Sequence, residues 1–192
     1  MIKIQYSLVM HSTPIHILGI SGSLKTSSAN TRILHELAAF QNKNIRYTLF
    51  ENLEDIPPFN PDKEEGNSSV KNFKHLLQTA QGVILSTPEY AFGLPGVLKN
   101  ALDWTVSSGD LNEKPLIAVS ASPLASGGSK AMDSLLLTLN ALGTKTDAQS
   151  HLCIPDILNK MNADRHLIHE PTKLALEKLL DHLIETILEV RS

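Results

Sequence analysis

Short apolar runs alternate along the chain with stretches in which apolar residues recur every three or four positions. The runs are too short for helices and too continuously apolar for half-exposed strands, so they predict buried parallel strands. A stretch with helical spacing follows each run, which predicts five β-α units. The predicted strands are Ile15–Ile20, Ile45–Phe50, Gly82–Ser86, Pro115–Ser120 and Lys145–Leu152.

The helical stretches carry stripes of leucine, isoleucine and valine. The first begins after a small polar turn, where Ser28 or Asn30 is expected to cap it. The third is predicted from Leu94 to about Val106, and the last begins at Pro171. Alternating units of this kind predict a three-layer α/β domain, a flavodoxin-like doubly wound sheet of five parallel strands in the order 2-1-3-4-5.

Composition fits one globular domain, residues 15–192, preceded by an extension of residues 1–14. The extension lacks the long apolar core and cleavage site of a signal peptide. Two hypotheses remain for it: translation starts at Met10, or the extension is a frayed, disordered tail. A net charge of −3 provides no basic surface for nucleic acid or an anionic membrane. The single cysteine, Cys153, excludes an intrachain disulfide and fits a reducing cytoplasm.

Two unusual loops follow the first and third predicted strands. The first, Ser21–Arg32, reads SGSLKTSSANTR, and the second, Thr87–Trp104, reads TPEYAFGLPGVLKNALDW. In the predicted order these two strands are neighbours at the switch point of the sheet, where open α/β sheets bind ligands beyond the carboxyl ends of their strands. We therefore expect both loops to line one crevice.

The first loop has the composition of an anion site. Its hydroxyl groups, the free N–H groups at the start of the next helix and the charge of Lys25 suit a phosphate. A P-loop is excluded because Leu24 precedes Lys25, and the G-x-G-x-x-G fingerprint because no third glycine follows Gly22. A monophosphate suits the loop better than a pyrophosphate. From the residues alone, an ordinary capped turn is the alternative.

The second loop has residues suited to a planar ring. Tyr90 and Phe92 are placed to face such a ring, while Pro88 and Gly93 let the backbone run beside it. A third small-residue loop, 122–128, is expected to bring main-chain donors to the far edge, where they would stabilise an anionic reduced flavin.

Other polar residues have simpler interpretations. Glu89 is either a catalytic acid or, more simply, a structural or subunit-contact residue. Asp103 and Trp104 are interpreted as packing and capping elements. His16 is expected to be a satisfied histidine at a strand start, and Cys153 a packed residue just after the fifth strand. His166 and His169 lack the cysteine or carboxylate partners of a metal site.

The loops resemble the NADPH-dependent FMN reductase family, which includes quinone, chromate and azo-dye reductases. The family's G-S-L-R-x-x-S-x-N loop is GSLKTSSAN here, and its T-P-E-Y-N-x-S/G-x-P-G-x-L-K-N-A-I-D-W stretch is TPEYAFGLPGVLKNALDW. The family's Ser-Pro-Gly turn after the fourth strand is matched only loosely by SASPLASGG, because Leu124 follows Pro123 and the glycine is displaced. Lys25 replaces an arginine and so keeps the charge without the planar fork. Ala91 replaces an asparagine and so removes an amide near the ring.

The resemblance implies an FMN-dependent NAD(P)H oxidoreductase. Hydride would pass from NADPH or NADH to FMN, and electrons then to a quinone or similar small acceptor, in a ping-pong sequence. The flavin would carry the chemistry, without a catalytic side chain or a metal. The implied FMN ligands are Ser23, Lys25, Ser28 and Asn30 at the phosphate, Pro88, Glu89, Tyr90, Ala91, Phe92 and Gly93 along the ring, and Ser122 and Pro123 at its other side.

The resemblance also implies a cytoplasmic homodimer or homotetramer with no nucleic-acid or membrane partner. Two alternatives stay open. One is a non-enzymatic flavodoxin-like electron carrier or redox sensor, although the chain lacks the strongly acidic surface usual in flavodoxins. The other is a flavin-free structural or regulatory protein, which the substitutions at Lys25 and Ala91 keep open.

Overall fold

The computed structural model describes residues 14–40, 44–63 and 66–191. Five parallel strands form one sheet in the order β2-β1-β3-β4-β5, which confirms the predicted flavodoxin-like architecture. The hypotheses about the N-terminal extension fall on residues 1–13, outside the described ranges, apart from exposed Pro14. The strands are β1 (Ile15–Ser21), β2 (Ile45–Phe50), β3 (Gly82–Thr87), β4 (Leu116–Ala121) and β5 (His151–Ile154).

Five α-helices connect and follow the strands: α1 (Ala29–Ala39), α2 (Ser68–Thr79), α3 (Gly96–Asp103), α4 (Ser129–Ala141) and α5 (Glu170–Arg191). Of the two predicted caps for α1, the structure selects Ser28, whose hydroxyl accepts the N–H of Asn30 at 3.2 Å. Asn67 caps α2 in the same way, by accepting the N–H of Val70 at 3.0 Å. Such caps satisfy N–H groups that have no partner inside the helix.

Two apolar cores lie on opposite faces of the sheet. Along β1, Leu18 and Ile20 belong to the core under α2, α3 and α4, whereas Ile15 and Ile17 belong to the core under α1 and α5. Successive side chains of a strand point to opposite faces, and here both faces are covered. The strands therefore appear in the sequence as continuous apolar runs.

The fifth strand differs from its prediction. β5 begins at His151 because a tight turn occupies residues 147–150. In this turn the Ser150 hydroxyl accepts the N–H of Asp147 and donates to its carboxylate, both at 2.9 Å. Local side-chain bonds of this kind compete with a strand ladder. Cys153 consequently lies within β5, where it is half-buried, and does not follow the strand.

Helix boundaries differ by smaller amounts. α3 is shorter than predicted: it starts at Gly96, with Pro95 as its N-cap, and ends at Asp103. α5 starts at Glu170, one residue before the predicted start. Short 3-10 turns lie between the main elements, at Leu53–Asp55, Pro61–Lys63 and Ile157–Lys160. Within the described ranges, none of the helices combines the length and apolar character needed to cross a membrane.

His16 is a satisfied histidine, as predicted. It is buried in β1, with Nε2 3.0 Å from the Thr48 hydroxyl and Nδ1 2.8 Å from the Arg46 guanidinium. Burial, and then the nearby charge of Arg46, lowers the pKa of His16 from its usual 6.5. The folded protein therefore resists protonation of this ring.

We predict that the protein loses stability as the pH falls below 6.5. There the unfolded chain takes up a proton on His16, whose ordinary pKa is 6.5, while the folded state with its lowered pKa does not. The unfolded state then binds more protons than the folded state. The free energy of unfolding therefore decreases as the pH is lowered, until the pH reaches the pKa of His16 in the folded state. Urea unfolding on both sides of pH 6.5 measures this loss.

The variant His16→Gln removes the titrating ring, and its free energy of unfolding should change less over the same interval. His35→Gln, at an exposed position on α1, is the matched control and should keep the wild-type pH dependence. An identical dependence in His16→Gln and wild type would contradict the assignment.

Candidate functional site

The site lies where β1, β3 and β4 end. These strands are neighbours in the sheet, so their carboxyl ends lie side by side. The three loops that leave them, residues 22–28, 88–95 and 122–128, are the loops that the sequence marks as unusual. The sheet order therefore brings the predicted phosphate loop and the predicted ring-binding loops to one edge.

Asn30 ties these strand ends together. Its side chain is only 3% exposed. Its Oδ1 accepts hydrogen bonds from the Ser86 hydroxyl at 3.2 Å and from the Ala121 N–H at 3.1 Å. Its Nδ2 donates to the Ala121 carbonyl at 3.1 Å. Because Asn30 lies in the first turn of α1, these bonds fix the first loop relative to β3 and β4.

The first loop folds into a compact turn before α1. The N–H of Ser28 donates to the Lys25 carbonyl at 3.0 Å, and the N–H of Lys25 donates to the Ser23 hydroxyl at 3.3 Å. Ser23 and Ser28 are buried, whereas Lys25 is exposed. The loop thus combines hydroxyl groups held within the turn with one exposed positive charge, which suits a phosphate.

Gly22 brings the first loop close to β3 and α3. Its N–H donates to the Ser86 carbonyl at 2.8 Å. A Cβ at this position would lie 2.9 Å from the Leu98 side chain and 3.1 Å from the Thr87 hydroxyl. Any larger residue would push the loop away from the third strand, so the close approach requires glycine.

The second loop contains a two-residue hairpin turn with an unfavourable backbone. Tyr90 and Gly93 exchange two main-chain hydrogen bonds of 3.1 and 3.0 Å. Between them, Ala91 and Phe92 have φ values of +50° and +61°. Positive φ at both central positions is the pattern of a type I′ turn, which favours Asn and Gly. An asparagine at position 91, as in the resembling family, therefore suits the turn itself, beyond any contact of its amide with a ring.

Aromatic side chains on this turn face solvent. Tyr90 is 54% exposed and Phe92 is 76% exposed. Leu124, on the third loop, is 60% exposed. Large apolar side chains at the ligand-binding edge of a sheet are typical of a surface that a planar ligand or a partner covers.

Glu89 joins the second loop to α4. Its Oε2 accepts the N–H groups of Lys130 at 2.9 Å and Ala131 at 3.1 Å. The residue at the N-cap position of α4, Gly128, has no side chain to do this. This contact agrees with the structural interpretation of Glu89.

The third loop is anchored on both sides. The Ser120 hydroxyl donates to the Gly127 carbonyl at 2.8 Å, and the Ser122 N–H donates to the Ile154 carbonyl at 3.1 Å. Ser122 is buried, whereas Pro123 is exposed. Of the two predicted ring contacts in this loop, Pro123 therefore lies at the surface, whereas Ser122 is buried beneath it.

Asn100 on α3 and Trp104, the residue just after α3, hold a further loop, residues 56–60, at the same end of the sheet. The Asn100 amide donates to the Pro57 carbonyl at 2.8 Å and accepts the Phe59 N–H at 2.7 Å. Trp104 donates from Nε1 to the same carbonyl at 2.9 Å, and the Phe59 ring meets its indole edge-on at 5.1 Å. Sequence reasoning missed Asn100, although its spacing from Trp104 places both residues on one face of a helix.

A cleft of about 290 Å³ adjoins the first loop on its β2 side. Ser23 and Lys25 line it together with Leu49 at the end of β2 and Glu51 just beyond. Its lining takes nothing from the second loop. The cleft therefore extends the phosphate end of the candidate site and is separate from the ring wall, by which we mean residues 88–93.

The two histidines that are close in sequence, His166 and His169, contact other side chains. Nδ1 of His169 lies 2.8 Å from the Thr172 hydroxyl, and Nδ1 of His166 lies 3.5 Å from the carboxylate of Glu36. Across the ranges that the structure describes, no three His, Cys, Asp or Glu side chains come together as metal ligands.

Comparison with known proteins matches these loops to a family of reductases. The family model described as NADPH-dependent FMN reductase matches residues 15–156. The chain is 28% identical over 176 residues to an NAD(P)H-dependent FMN reductase of Pseudomonas aeruginosa, covering 90% of this chain and 95% of that protein. It is 29% identical over 139 residues to a quinone reductase of Escherichia coli K12, covering 68% and 74% respectively.

Solved structures give the same fold. The flavoenzyme NAD(P)H:(acceptor) oxidoreductase FerB of Paracoccus denitrificans superposes with a TM-score of 0.82 at 24% identity, covering 91% of this chain and 98% of that one. An FMN-dependent NADH-azoreductase of Bacillus anthracis, in complex with FMN, has a TM-score of 0.58 at 12% identity, with 89% and 99% coverage. At these identities the likeness concerns the fold alone.

We predict that Asn30→Ala lowers the free energy of unfolding by about 3 kcal/mol, because it leaves buried backbone and hydroxyl groups without partners. Urea unfolding measures the change. Asn100→Ala is the matched control, since the side chain of Asn100 also makes three hydrogen bonds but is half-exposed. Water can replace its bonds, so its cost should be smaller. An equal or larger loss of stability in Asn100→Ala would contradict the role of Asn30 in tying the strand ends together.

We also predict that the double substitution Ala91→Asn, Phe92→Gly raises the free energy of unfolding by about 1 kcal/mol. Asn and Gly adopt positive φ with little strain, whereas Ala and Phe do not. Thermal or urea unfolding gives the difference. Ala39→Asn, in the last turn of α1, is the control and should not stabilise the protein. A loss of stability in the double variant would mean that the turn is not strained.

Proposed function

The chain belongs to the NADPH-dependent FMN reductase family, and we propose that it is an FMN-dependent NAD(P)H oxidoreductase that reduces a quinone or a similar small acceptor. One observation carries the proposal. The three loops that form the candidate site all lie within the residues matched by the family model, and Asn30 and Glu89 fasten them to one another.

The first loop fits the phosphate of FMN. Ser23 and Ser28 offer hydroxyl groups held in place by the turn, and exposed Lys25 offers a charge. The start of α1 adds its free N–H groups and the positive end of its dipole. In this proposal Asn30 contributes by holding the loop, since its Oδ1 is occupied by Ser86 and Ala121.

The ring wall and the third loop fit the flavin ring. The backbone from Pro88 to Gly93 runs along one side, with Tyr90 and Phe92 exposed beside it, and Ser122 and Pro123 lie on the other. FMN held there would supply the redox chemistry, hydride acceptance from NAD(P)H and electron transfer to the acceptor in a ping-pong sequence. The chain orients the ring and offers fixed backbone dipoles to its negative charge.

We propose that one domain, residues 15–192, assembles into a homodimer or homotetramer in the cytoplasm. The exposed apolar side chains of Tyr90, Phe92 and Leu124 support assembly, because a second subunit over the site would cover them. The lone cysteine, Cys153, supports a reducing compartment.

We predict that the protein takes up FMN, and that anaerobic NADPH or NADH then bleaches the flavin spectrum until a quinone restores it. Lys25→Ala should raise the dissociation constant for FMN about 10-fold, because it removes a charge-assisted contact to phosphate. Turnover at saturating FMN should change little, since Lys25 lies at the phosphate end. Titration of flavin fluorescence and steady-state kinetics measure the two effects.

Lys71→Ala, at an exposed position on α2, is the control and should leave FMN affinity unchanged. No uptake of FMN by the wild type would overturn the proposal. If the protein takes up FMN but neither NADPH nor NADH bleaches it, the electron-carrier hypothesis would be favoured over the reductase. An unchanged dissociation constant in Lys25→Ala would contradict the phosphate assignment alone.

A further inference from the structure

We propose that Glu89 is a positioning residue of the flavin site, a role that rests on the proposed function. Its carboxylate fastens the ring wall to the start of α4 and so sets the distance between the two loops that flank the flavin ring.

The start of α4 is capped by a side chain from outside its own loop. The first N–H groups of a helix have no partner within it. α1 and α2 are capped locally, by Ser28 and Asn67. α4 has Gly128 at its N-cap position, with no capping side chain. Its second and third N–H groups donate to Glu89, at 2.9 and 3.1 Å, across a separation of 41 and 42 residues. The start of α4 therefore depends on a side chain from another loop.

The contact between Glu89 and α4 lies between the second and third loops. Glu89 directly precedes the strained hairpin turn, so the carboxylate bonds hold the base of that turn. On the other side, Gly127 and Gly128 directly precede α4 and are both buried, with φ values of +63° and +82°. A Cβ at Gly128 would lie 3.6 Å from the Cβ of Glu89, which shows how closely the loops approach. Moving one loop would break the bonds that hold the other.

The bonds and the charge of the Glu89 carboxylate also suit a positioning role. Both bonds are made by Oε2, and the negative charge lies at the positive end of the α4 dipole, where it is favourable. A group occupied in this way is suited to hold the backbone rather than to exchange protons with a substrate. Glu89 thus acts on the flavin through the loops.

The experiment compares Glu89→Ala with Asn67→Ala, which removes the local cap of α2, outside the three site loops. Both variants should lose similar thermal stability. Glu89→Ala should raise the dissociation constant for FMN about 10-fold, the equivalent of a lost helix cap, and should shift the visible circular dichroism of bound flavin. Asn67→Ala should bind FMN as the wild type does.

Two further variants separate geometry from charge. Glu89→Gln keeps an oxygen acceptor at the same reach and should restore FMN affinity to within about 3-fold of wild type. Glu89→Asp keeps the charge but is one methylene shorter, and it should behave like Glu89→Ala. These two variants also decide the matter if Glu89→Ala does not fold.

Hydrogen exchange provides a readout that does not depend on flavin. In Glu89→Ala the amides of Lys130, Ala131 and Gly93 should lose protection together, while Asn67→Ala should leave them protected. If the wild type takes up no FMN, the proposed function fails, and this exchange pattern alone decides whether Glu89 couples the loops. Equal FMN affinity in Glu89→Ala and Asn67→Ala, no rescue by Glu89→Gln, or unchanged protection would each overturn the positioning role.

Discussion

One buried amide group holds together the edge of the sheet on which the site is built. Ala121 is the last residue of β4, and the side chain of Asn30 pairs with both its N–H and its carbonyl, as a neighbouring strand would. The same side chain accepts the hydroxyl of Ser86 in β3. A buried backbone group without a partner costs free energy comparable to a lost hydrogen bond. The first loop is therefore kept in register with two strands that lie beyond its own.

The other loops at this edge are held by the same kind of bond, from a side chain to a distant backbone group. Glu89 accepts N–H groups at the start of α4, and Asn100 and Trp104 bind the carbonyl of Pro57. Each bond spans about 40 residues or more, and each satisfies a polar group that a loop would otherwise expose or bury unpaired. The result is a hydrogen-bonded frame around the solvent-facing aromatic side chains of Tyr90 and Phe92. Such a frame limits the motion of loops that must position a ligand.

The sequence allowed the frame's location to be predicted but not its contacts. Continuous apolar runs such as Ile15–Ile20 exist because both faces of the sheet are covered, so the strand order followed from pattern and topology rules. The contact of Glu89 with the N–H of Lys130 could not be predicted, because Lys130 lies 41 residues away and a backbone group leaves no signal in the sequence.

Local side-chain bonds explain why β5 starts later than the sequence predicts. Lys145 begins a stretch that resembles a strand, but the side chains of Asp147 and Ser150 bond within their own turn and delay β5 to His151. The positive φ of Ala91 could not be predicted either, because neither Ala nor Phe is typical of a type I′ turn. In both places tertiary context and local side-chain bonds outweighed the preference that the residues display.

The strained turn shows how the site tolerates unusual residues. Ala91 and Phe92 have little tendency to adopt positive φ, yet the turn closes with two hydrogen bonds between Tyr90 and Gly93. The conformation is imposed from outside, by the bonds of Glu89 at its base and by the strand that leads into it. A ring wall that is shaped by its frame can change residues at its surface and keep its backbone path. Ala91 therefore changes the surface of the ring wall more than it changes the backbone path.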